Sequence, residues 1–230
     1  MDEEGRTDLR TEICHQLSTV PKVKKTFGGK KAFHEKVIVE RSKMYAKCPE
    51  QLVLAPLEIA YIFNFVTWID GKRNIIDPIL ARIEAKLDEL IEVSSTNDMR
   101  YNDKFGYLLL IKGVFHKMAG NYKHARTLFE QVYNIRDKFV YETHLPALAA
   151  FELGLSYRSA NQYETAHDWL MIAKHNFGSH LADCMVNYRA DLAMESMKVA
   201  QKKVSDTGSK HTIGSFLIRR MSGVDLNHNR

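Results

Sequence analysis

The sequence has few of the residues that mark secreted, membrane-spanning or metal-binding proteins. It contains only three cysteines, Cys14, Cys48 and Cys184, and no CxxC pair. An odd number of widely spaced cysteines argues against a disulfide framework and predicts reduced thiols in a cytoplasmic protein. The longest apolar stretch, residues 59–69, contains two polar residues and is too short to span a bilayer. The acidic and polar first ten residues are unlike a secretory signal.

The patterns that carry catalysis or hold a cofactor are also missing. The ten histidines show no spacing typical of zinc ligands. The Gly28-Gly29-Lys30 stretch lacks the other residues of a phosphate-binding P-loop. Asp88 and Glu92 can share a helical face, but paired carboxylates indicate acid–base chemistry only where a cleft shifts their pKa values. We therefore predict a protein that is not an enzyme, with no catalytic residue, no metal site and no cofactor.

Two stretches within residues 106–173 share one template of small residues. A helix, a tight turn and a second helix packed back on the first form the tetratricopeptide (TPR) pattern. Glycine and alanine at the crossing let the two helices lie close together, and glycine or asparagine lets the turn adopt a positive φ. The template consists of Gly113, Gly120, Ala125 and Phe129 in the first stretch, and of Gly154, Asn161, Ala166 and Leu170 in the second.

The predicted fold is all-α: a TPR-type α-solenoid of antiparallel helix pairs with a long C-terminal capping helix and a flexible tail. Apolar periodicity predicts upstream helices at residues 8–17, 32–46 and 56–68, and another that starts at Pro78. The second repeat glycine follows the first by about 41 residues against 34 in a TPR, so extra residues are expected near 137–144. The predicted regions are a partial helix and basic loop (1–31), an upstream helical region (32–95), two repeats with the capping helix from 181 to 203 (102–203), and a disordered tail (204–230).

The first helix of a TPR pair lines a concave groove, so the repeat glycines predict which side chains face it. Most of these are apolar, unlike the lysine and asparagine clamp of chaperone-binding TPR domains. We expect the groove to take an apolar or helical protein segment, with Lys117 and Arg158 contacting acidic residues nearby. The alternative is that these side chains pack inside the solenoid. The predicted groove residues are Tyr107, Leu110, Val114, Lys117, Phe151, Leu155 and Arg158.

The net charge of +5 is distributed unevenly. Residues 22–36 hold six lysines and one glutamate, and residues 198–230 hold seven lysines and arginines against two aspartates. These segments are interpreted as a solvated loop and tail, and the alternative is contact with an anionic membrane surface. Lysines without interleaved aromatic residues make a poor surface for reading bases, so no nucleic-acid partner is predicted.

The tail contains one modification motif. Arg219-Arg220-Met221-Ser222 fits the pattern that basophilic kinases prefer, so Ser222 is a candidate phosphosite. A phosphate there would place about −2 of charge beside two arginines.

Six short segments stand out in order along residues 17–195: Val20-Pro21-Lys22, residues 40–45, residues 110–114, Phe151-Glu152-Leu153-Gly154, residues 173–177 and Tyr188-Arg189-Ala190. Together they resemble the tetratricopeptide repeat protein 39 family, which includes fungal inclusion-body clearance proteins. Members of that family are considerably longer, and the similarity covers only their C-terminal part. The helix at residues 8–17 then resembles the second half of a pair whose first helix is absent.

The resemblance implies a cytoplasmic scaffold and supplies no catalytic residue. Some relatives are linked to protein turnover, lipid homeostasis or inclusion clearance. The leading hypothesis is therefore a non-enzymatic adaptor for protein–protein interactions. One alternative is a peripheral membrane or lipid-associated adaptor that uses the basic segments. The other is a non-functional truncated paralogue, whose exposed N-terminal edge would favour self-association.

Overall fold

Helices account for all the regular secondary structure in the part of the chain that the structure describes. The structure is a computed structural model and describes residues 11–20, 22–23, 33–47, 54–93 and 100–221. No strand occurs within these ranges, so the all-α prediction is confirmed. The helices are α1 (11–20), α2 (Phe33–Lys47), α3 (Ala55–Ile62), α4 (Arg73–Val93), α5 (Tyr101–Met118), α6 (Tyr122–Asn134), α7 (Leu145–Ser159), α8 (Tyr163–His175) and α9 (Asp183–Met221), with 3₁₀ helices at Phe65–Ile69 and Arg136–Lys138.

Helices α5 to α8 form two helical hairpins that pack on each other. Helix α5 packs against α6, α7 against α8, and α6 against α7. A Cβ atom added to Gly113 would lie 2.5 Å from Cε1 of Phe129, and one added to Gly154 would lie 2.7 Å from Cγ of Leu170. The prediction that small residues let the paired helices approach closely is therefore confirmed at both crossings.

The two hairpin turns adopt the same left-handed backbone conformation. Gly120 has a φ of 80° and Asn161 a φ of 58°. Glycine has no Cβ to clash in this region, and asparagine is among the few other residues that enter it readily. The positive φ predicted for both turns is confirmed.

The extra residues between the repeats form a connection rather than a longer helix. We name residues 135–144 the connecting segment; it follows the end of α6 at Asn134 and precedes α7. The ring of Phe139 lies over Gly106 of α5, where a Cβ atom would overlap it. Glycine at this position thus gives the connecting segment room to pack against α5.

The apolar helix predicted for residues 56–68 ends early. Helix α3 has a proline in its first turn, as predicted, but ends at Ile62. Asn64 has a φ of 61°, and a 3₁₀ helix follows it. The α-helix prediction is wrong beyond Ile62 because Asn64 adopts a left-handed conformation that a right-handed helix cannot continue through.

The next helix begins before the proline that was expected to start it. Helix α4 begins at Arg73 and contains Pro78 in its interior. Ile76 and Ile83 on this helix are fully buried. Packing of this apolar face stabilises a turn on each side of Pro78, although the proline removes one backbone hydrogen bond.

Helix α9 is longer than the sequence indicated. The chain divides into two compact units, Met1–Ala190 and Asp191–Arg230. Helix α9 starts in the first unit and continues to Met221, whereas a helix ending near Lys203 and a flexible tail were predicted. Residues 204–221 contain no proline, so every residue in this stretch can donate the backbone hydrogen bond of a helix.

Candidate functional site: a buried ion network beside the helical hairpins

The structure places most of the predicted groove residues inside the protein. Five of the seven are at most 9% exposed, and the other two are partly exposed. Their burial fits the alternative interpretation, in which these side chains pack inside the protein. The buried five are Tyr107, Leu110, Val114, Lys117 and Phe151, and the partly exposed two are Leu155 and Arg158.

The chain's own helix α3 packs where a partner segment was expected. Helix α3 contacts α5, and its fully buried Tyr61 donates a hydrogen bond from Oη to Oε1 of Glu152 on α7, at 3.1 Å. Both α5 and α7 belong to the face that was expected to bind the partner. Helix α3 thus occupies part of the surface where a partner segment was expected.

Lys117 has an internal partner instead of the acidic residue of another protein. Its ammonium group pairs with Oε2 of Glu152, whose side chain is only 1% exposed. A buried carboxylate requires such a partner because burying an unpaired charge is costly. The pair joins α5 to α7. The partner contacts predicted for Lys117 and Arg158 stay predictions.

Arg189 in the first part of α9 contacts Tyr61 of α3 and Phe151 of α7. Its guanidinium carbon lies 5.0 Å from the ring centroid of Phe151 and 5.9 Å from that of Tyr61. Its Nη2 donates a hydrogen bond to Oδ1 of Asn64 at 2.8 Å. Arg189 thus connects α9 to α7, α3 and the turn after α3 through cation–π contacts and one hydrogen bond.

A second set of charged side chains lies nearby and is also nearly buried. Arg41 of α2 donates two hydrogen bonds to Glu142, from Nη1 to Oε1 and from Nη2 to Oε2, the second at 2.7 Å. Its Nε lies against Oε1 of Glu58 on α3 as an ion pair. The side chain of Arg41 is 11% exposed, that of Glu142 is 10% exposed and that of Glu58 is 6% exposed. We call Arg41, Glu58 and Glu142 the ion network; it ties α2 and α3 to the connecting segment.

The ion network contains two carboxylates for one guanidinium. Burial raises the pKa of Glu58 from 4.5 to about 7, although Arg41 opposes the shift. Burial would also raise the pKa of Glu142, but the positive charge and the hydrogen bonds of Arg41 hold it below its usual value. The proton that is easiest to add to the network at neutral pH therefore goes to Glu58.

His144 borders the network as a neutral side chain. It is fully buried at the start of α7, and Nδ1 lies 3.5 Å from Oε2 of Glu142. Burial lowers its pKa from 6.5 to about 4, against the pull of Glu142. At pH 7 His144 therefore adds no positive charge to the ion network.

Asp103 at the start of α5 fixes the connecting segment that carries Glu142. Its carboxylate accepts hydrogen bonds from the backbone N–H groups of Val140, Tyr141 and Glu142 at 3.1, 3.2 and 3.1 Å. Burial raises the pKa of Asp103, and these hydrogen bonds oppose the shift. Asp103 thus accepts hydrogen bonds from three consecutive backbone N–H groups that belong to no helix. These bonds hold the backbone of Glu142 in place beside Arg41.

Two cavities of different chemistry adjoin Arg41. The polar cleft has a volume of about 450 Å³, and its lining includes Lys43, Arg100, Tyr141 and His144. The apolar pocket has a volume of about 300 Å³ and lies among side chains of α1, α2 and α3, with Glu58 also in its lining. Both volumes fall at the lower end of the range for small-molecule sites.

The comparisons with known proteins leave the family undecided. No protein-family model matches the chain, and no solved structure matches it.

In the part of the chain that the structure describes, no group of three or more histidine, cysteine, aspartate or glutamate side chains is placed to hold a metal ion. In the same part, no helix has both the length and the apolar character needed to cross a membrane.

Sequence reasoning missed the ion network, although it left some signals. Glu58 is the only charged residue in the apolar helix α3. Arg41 follows the buried Val37 by one helical turn, so it lies on the buried face of α2. Glu142 belongs to the extra residues between the repeats. The candidate phosphosite Ser222 lies outside the described residues.

Proposed function

We propose that this protein is a non-enzymatic scaffold of TPR type that holds other proteins in the cytoplasm, in protein turnover or lipid homeostasis. The observation that carries the proposal is the pair of helical hairpins α5–α6 and α7–α8. Both use a glycine at the helix crossing and a left-handed residue in the turn. Repeated hairpins of this kind form extended surfaces that bind polypeptides.

An exposed aromatic pair offers a surface for the partner, since most of the predicted groove residues are buried inside the protein. Trp68 is 71% exposed and Phe65 is 43% exposed. Their ring centroids lie 4.9 Å apart in the 3₁₀ helix after α3. We call these two residues the aromatic patch. Exposed tryptophan is enriched among the residues that dominate protein–protein binding energy.

Affinity purification of the full chain with quantitative mass spectrometry tests the proposal. We expect the Phe65→Ala, Trp68→Ala double variant to recover its specific partners at least about tenfold less than the wild type, since hot-spot truncations cost about 2 kcal/mol or more. Tyr122→Ala, which removes a 40% exposed aromatic side chain from α6, is the matched control and should keep the partners. Thermal melting of all three proteins checks that the fold is retained.

Two results would count against the proposal in different ways. Unchanged partners in the double variant would remove the aromatic patch as the binding surface. Absence of any specific partner of the wild-type chain would remove the scaffold role.

The exposure of Trp68 also favours the membrane-associated alternative. Trp68 lies four residues before the exposed Lys72, and tryptophan and lysine both favour the membrane interface. Flotation with phosphatidylcholine vesicles, with and without phosphatidylserine, separates the two roles. Flotation that needs the anionic lipid and is lost in the double variant would favour the membrane role over the protein scaffold.

A further inference from the structure

The apolar pocket combines a hydrocarbon lining with one carboxyl group. Its lining includes Ile13 and Leu17 of α1, Val37 of α2, and Ile59 and Ile62 of α3. Among the described residues that line it, Glu58 is the only carboxylate, and Arg41 and Ser42 are the other polar side chains. A ligand that fits must therefore be mostly apolar and carry at most one polar group at the Glu58 end.

The charges around Glu58 are unbalanced when all of them are ionised. Glu58 faces Arg41 from α2, Tyr107 from α5 and Glu142 from the connecting segment. Arg41 donates two hydrogen bonds to Glu142, and its Nε forms an ion pair with Oε1 of Glu58, so one guanidinium group serves both carboxylates. Among the described residues, the group around Glu58 thus has one negative charge more than it has positive charges.

We propose that the apolar pocket binds a small amphiphilic amine, whose hydrocarbon body contacts α1, α2 and α3 and whose ammonium group pairs with Glu58. An ammonium group supplies both the missing positive charge and a hydrogen-bond donor. A carboxylate ligand would add a third negative charge beside Glu58 and Glu142, and an alcohol would leave the imbalance unchanged. This site is separate from the scaffold role and does not depend on it.

The pocket can be tested with three probes that differ only in their polar group. Isothermal titration calorimetry of the full chain would use dodecylamine, dodecanol and dodecanoate, each kept monomeric. We expect dodecylamine to bind at least about tenfold more tightly than the other two, because hydrogen bonds to charged groups are stronger than neutral ones. Equal affinity for the three probes, or no measurable binding of dodecylamine, would overturn the proposal.

Two variants and one control locate the binding. Glu58→Gln should lower the affinity for dodecylamine about tenfold and leave that for dodecanol unchanged, since it removes the charge and keeps the shape. Ile13→Trp should weaken all three probes because it fills the pocket from the partly exposed side of α1. Glu40→Gln, an exposed carboxylate of α2 that pairs with Lys43, should change nothing. Dodecylamine binding that survives both Glu58→Gln and Ile13→Trp would place the amine elsewhere and overturn the proposal.

The proposal also predicts a dependence on pH. Glu58 has a pKa of about 7, so it is more ionised at pH 8 than at pH 6, while an alkylammonium group stays charged at both. Dodecylamine should therefore bind more tightly at pH 8 than at pH 6, and Glu58→Gln should remove the difference. Tighter binding at pH 6 in the wild type would contradict the pairing with Glu58.

Discussion

The crossings of the two hairpins and the ion network hold helices together in opposite ways. At the crossings, Gly113 and Gly154 face the buried apolar side chains of Phe129 and Leu170. In the ion network, Arg41 meets Glu142 across 101 positions of sequence and meets Glu58 on another helix. The crossings are stabilised by close packing of apolar atoms, and the network by charges that depend on one another. The stability of the two regions should therefore respond differently to substitution and to pH.

The largest difference should appear when one member of the network is removed. Arg41→Met leaves Glu58 and Glu142 buried without a cation, and removing one partner of a buried ion pair costs about 3–5 kcal/mol. Urea unfolding measures the loss. Lys43→Met is the matched control, since Lys43 lies on the same helix and its side chain is 50% exposed; it should change stability by less than about 0.5 kcal/mol. A loss below about 1 kcal/mol for Arg41→Met would remove the contrast between the two regions.

Adding one methyl group to a crossing should have a smaller effect. Gly154→Ala brings a Cβ atom 2.7 Å from Cγ of Leu170 and 3.1 Å from the carbonyl oxygen of Ala166, which cannot move without shifting α8. Overpacking costs about 1–3 kcal/mol, and the better helix propensity of alanine returns up to about 1 kcal/mol. We expect a net loss of about 1–2 kcal/mol in urea unfolding. Gly178→Ala, where an added Cβ meets nothing within 4 Å, should be nearly neutral.

Glu58 of the ion network and its neighbour His144 should both contribute to the dependence of stability on pH, and their contributions have opposite signs. His144 has a folded pKa of about 4, below its unfolded 6.5, so its contribution is complete above 6.5 and is lost as the pH falls toward 4. Glu58 has a pKa of about 7 in the folded state, above its value of 4.5 in the unfolded state. Its contribution to stability is therefore complete below pH 4.5 and is lost as the pH rises to 7. Glu58→Gln should therefore make the loss of stability between pH 7 and pH 5 steeper, by roughly 1 kcal/mol per pH unit. Denaturant titrations at both pH values test this, and a slope unaltered by the substitution would exclude Glu58 as the compensating group.

The hairpin turns should give the smallest effects and should differ from each other. Gly120→Ala places a Cβ atom on a residue with a φ of 80°, which costs about 1 kcal/mol or slightly more. Asn161→Gly keeps the backbone conformation and should change stability by less than about 0.5 kcal/mol. Thermal melting of both variants gives the comparison. Equal effects would mean that the left-handed backbone does not control the stability of these turns.

The sequence predicted the crossings and turns because their determinants are local and occur twice. Gly113 and Gly154, like Gly120 and Asn161, occupy matching positions, and each needs only its own helix pair to explain it. The placement of Tyr61 against Glu152 could not be predicted in this way, because it joins helices 91 positions apart and leaves no periodic pattern. Such a pair depends on how α3 packs against the hairpins, which no local spacing encodes.

The end of α3 was only partly predictable from the sequence. Asn64 interrupts an apolar stretch, and asparagine readily adopts a left-handed conformation, so the signal for a helix end was present. Apolar periodicity continues through Trp68, however, and it predicts a helix that runs past Asn64. Apolar periodicity alone therefore overestimates helix length where an asparagine interrupts it.

A double-mutant cycle between Arg41 and Glu142 tests the central claim most directly, namely that a buried ion network joins α2 to the connecting segment. Urea unfolding of the wild type, Arg41→Met, Glu142→Gln and the double variant gives the coupling energy. We predict a coupling of about 2 kcal/mol, as expected for residues that share buried hydrogen bonds. Additivity of the two substitutions within about 0.5 kcal/mol would contradict the claim, because residues that do not interact behave in that way.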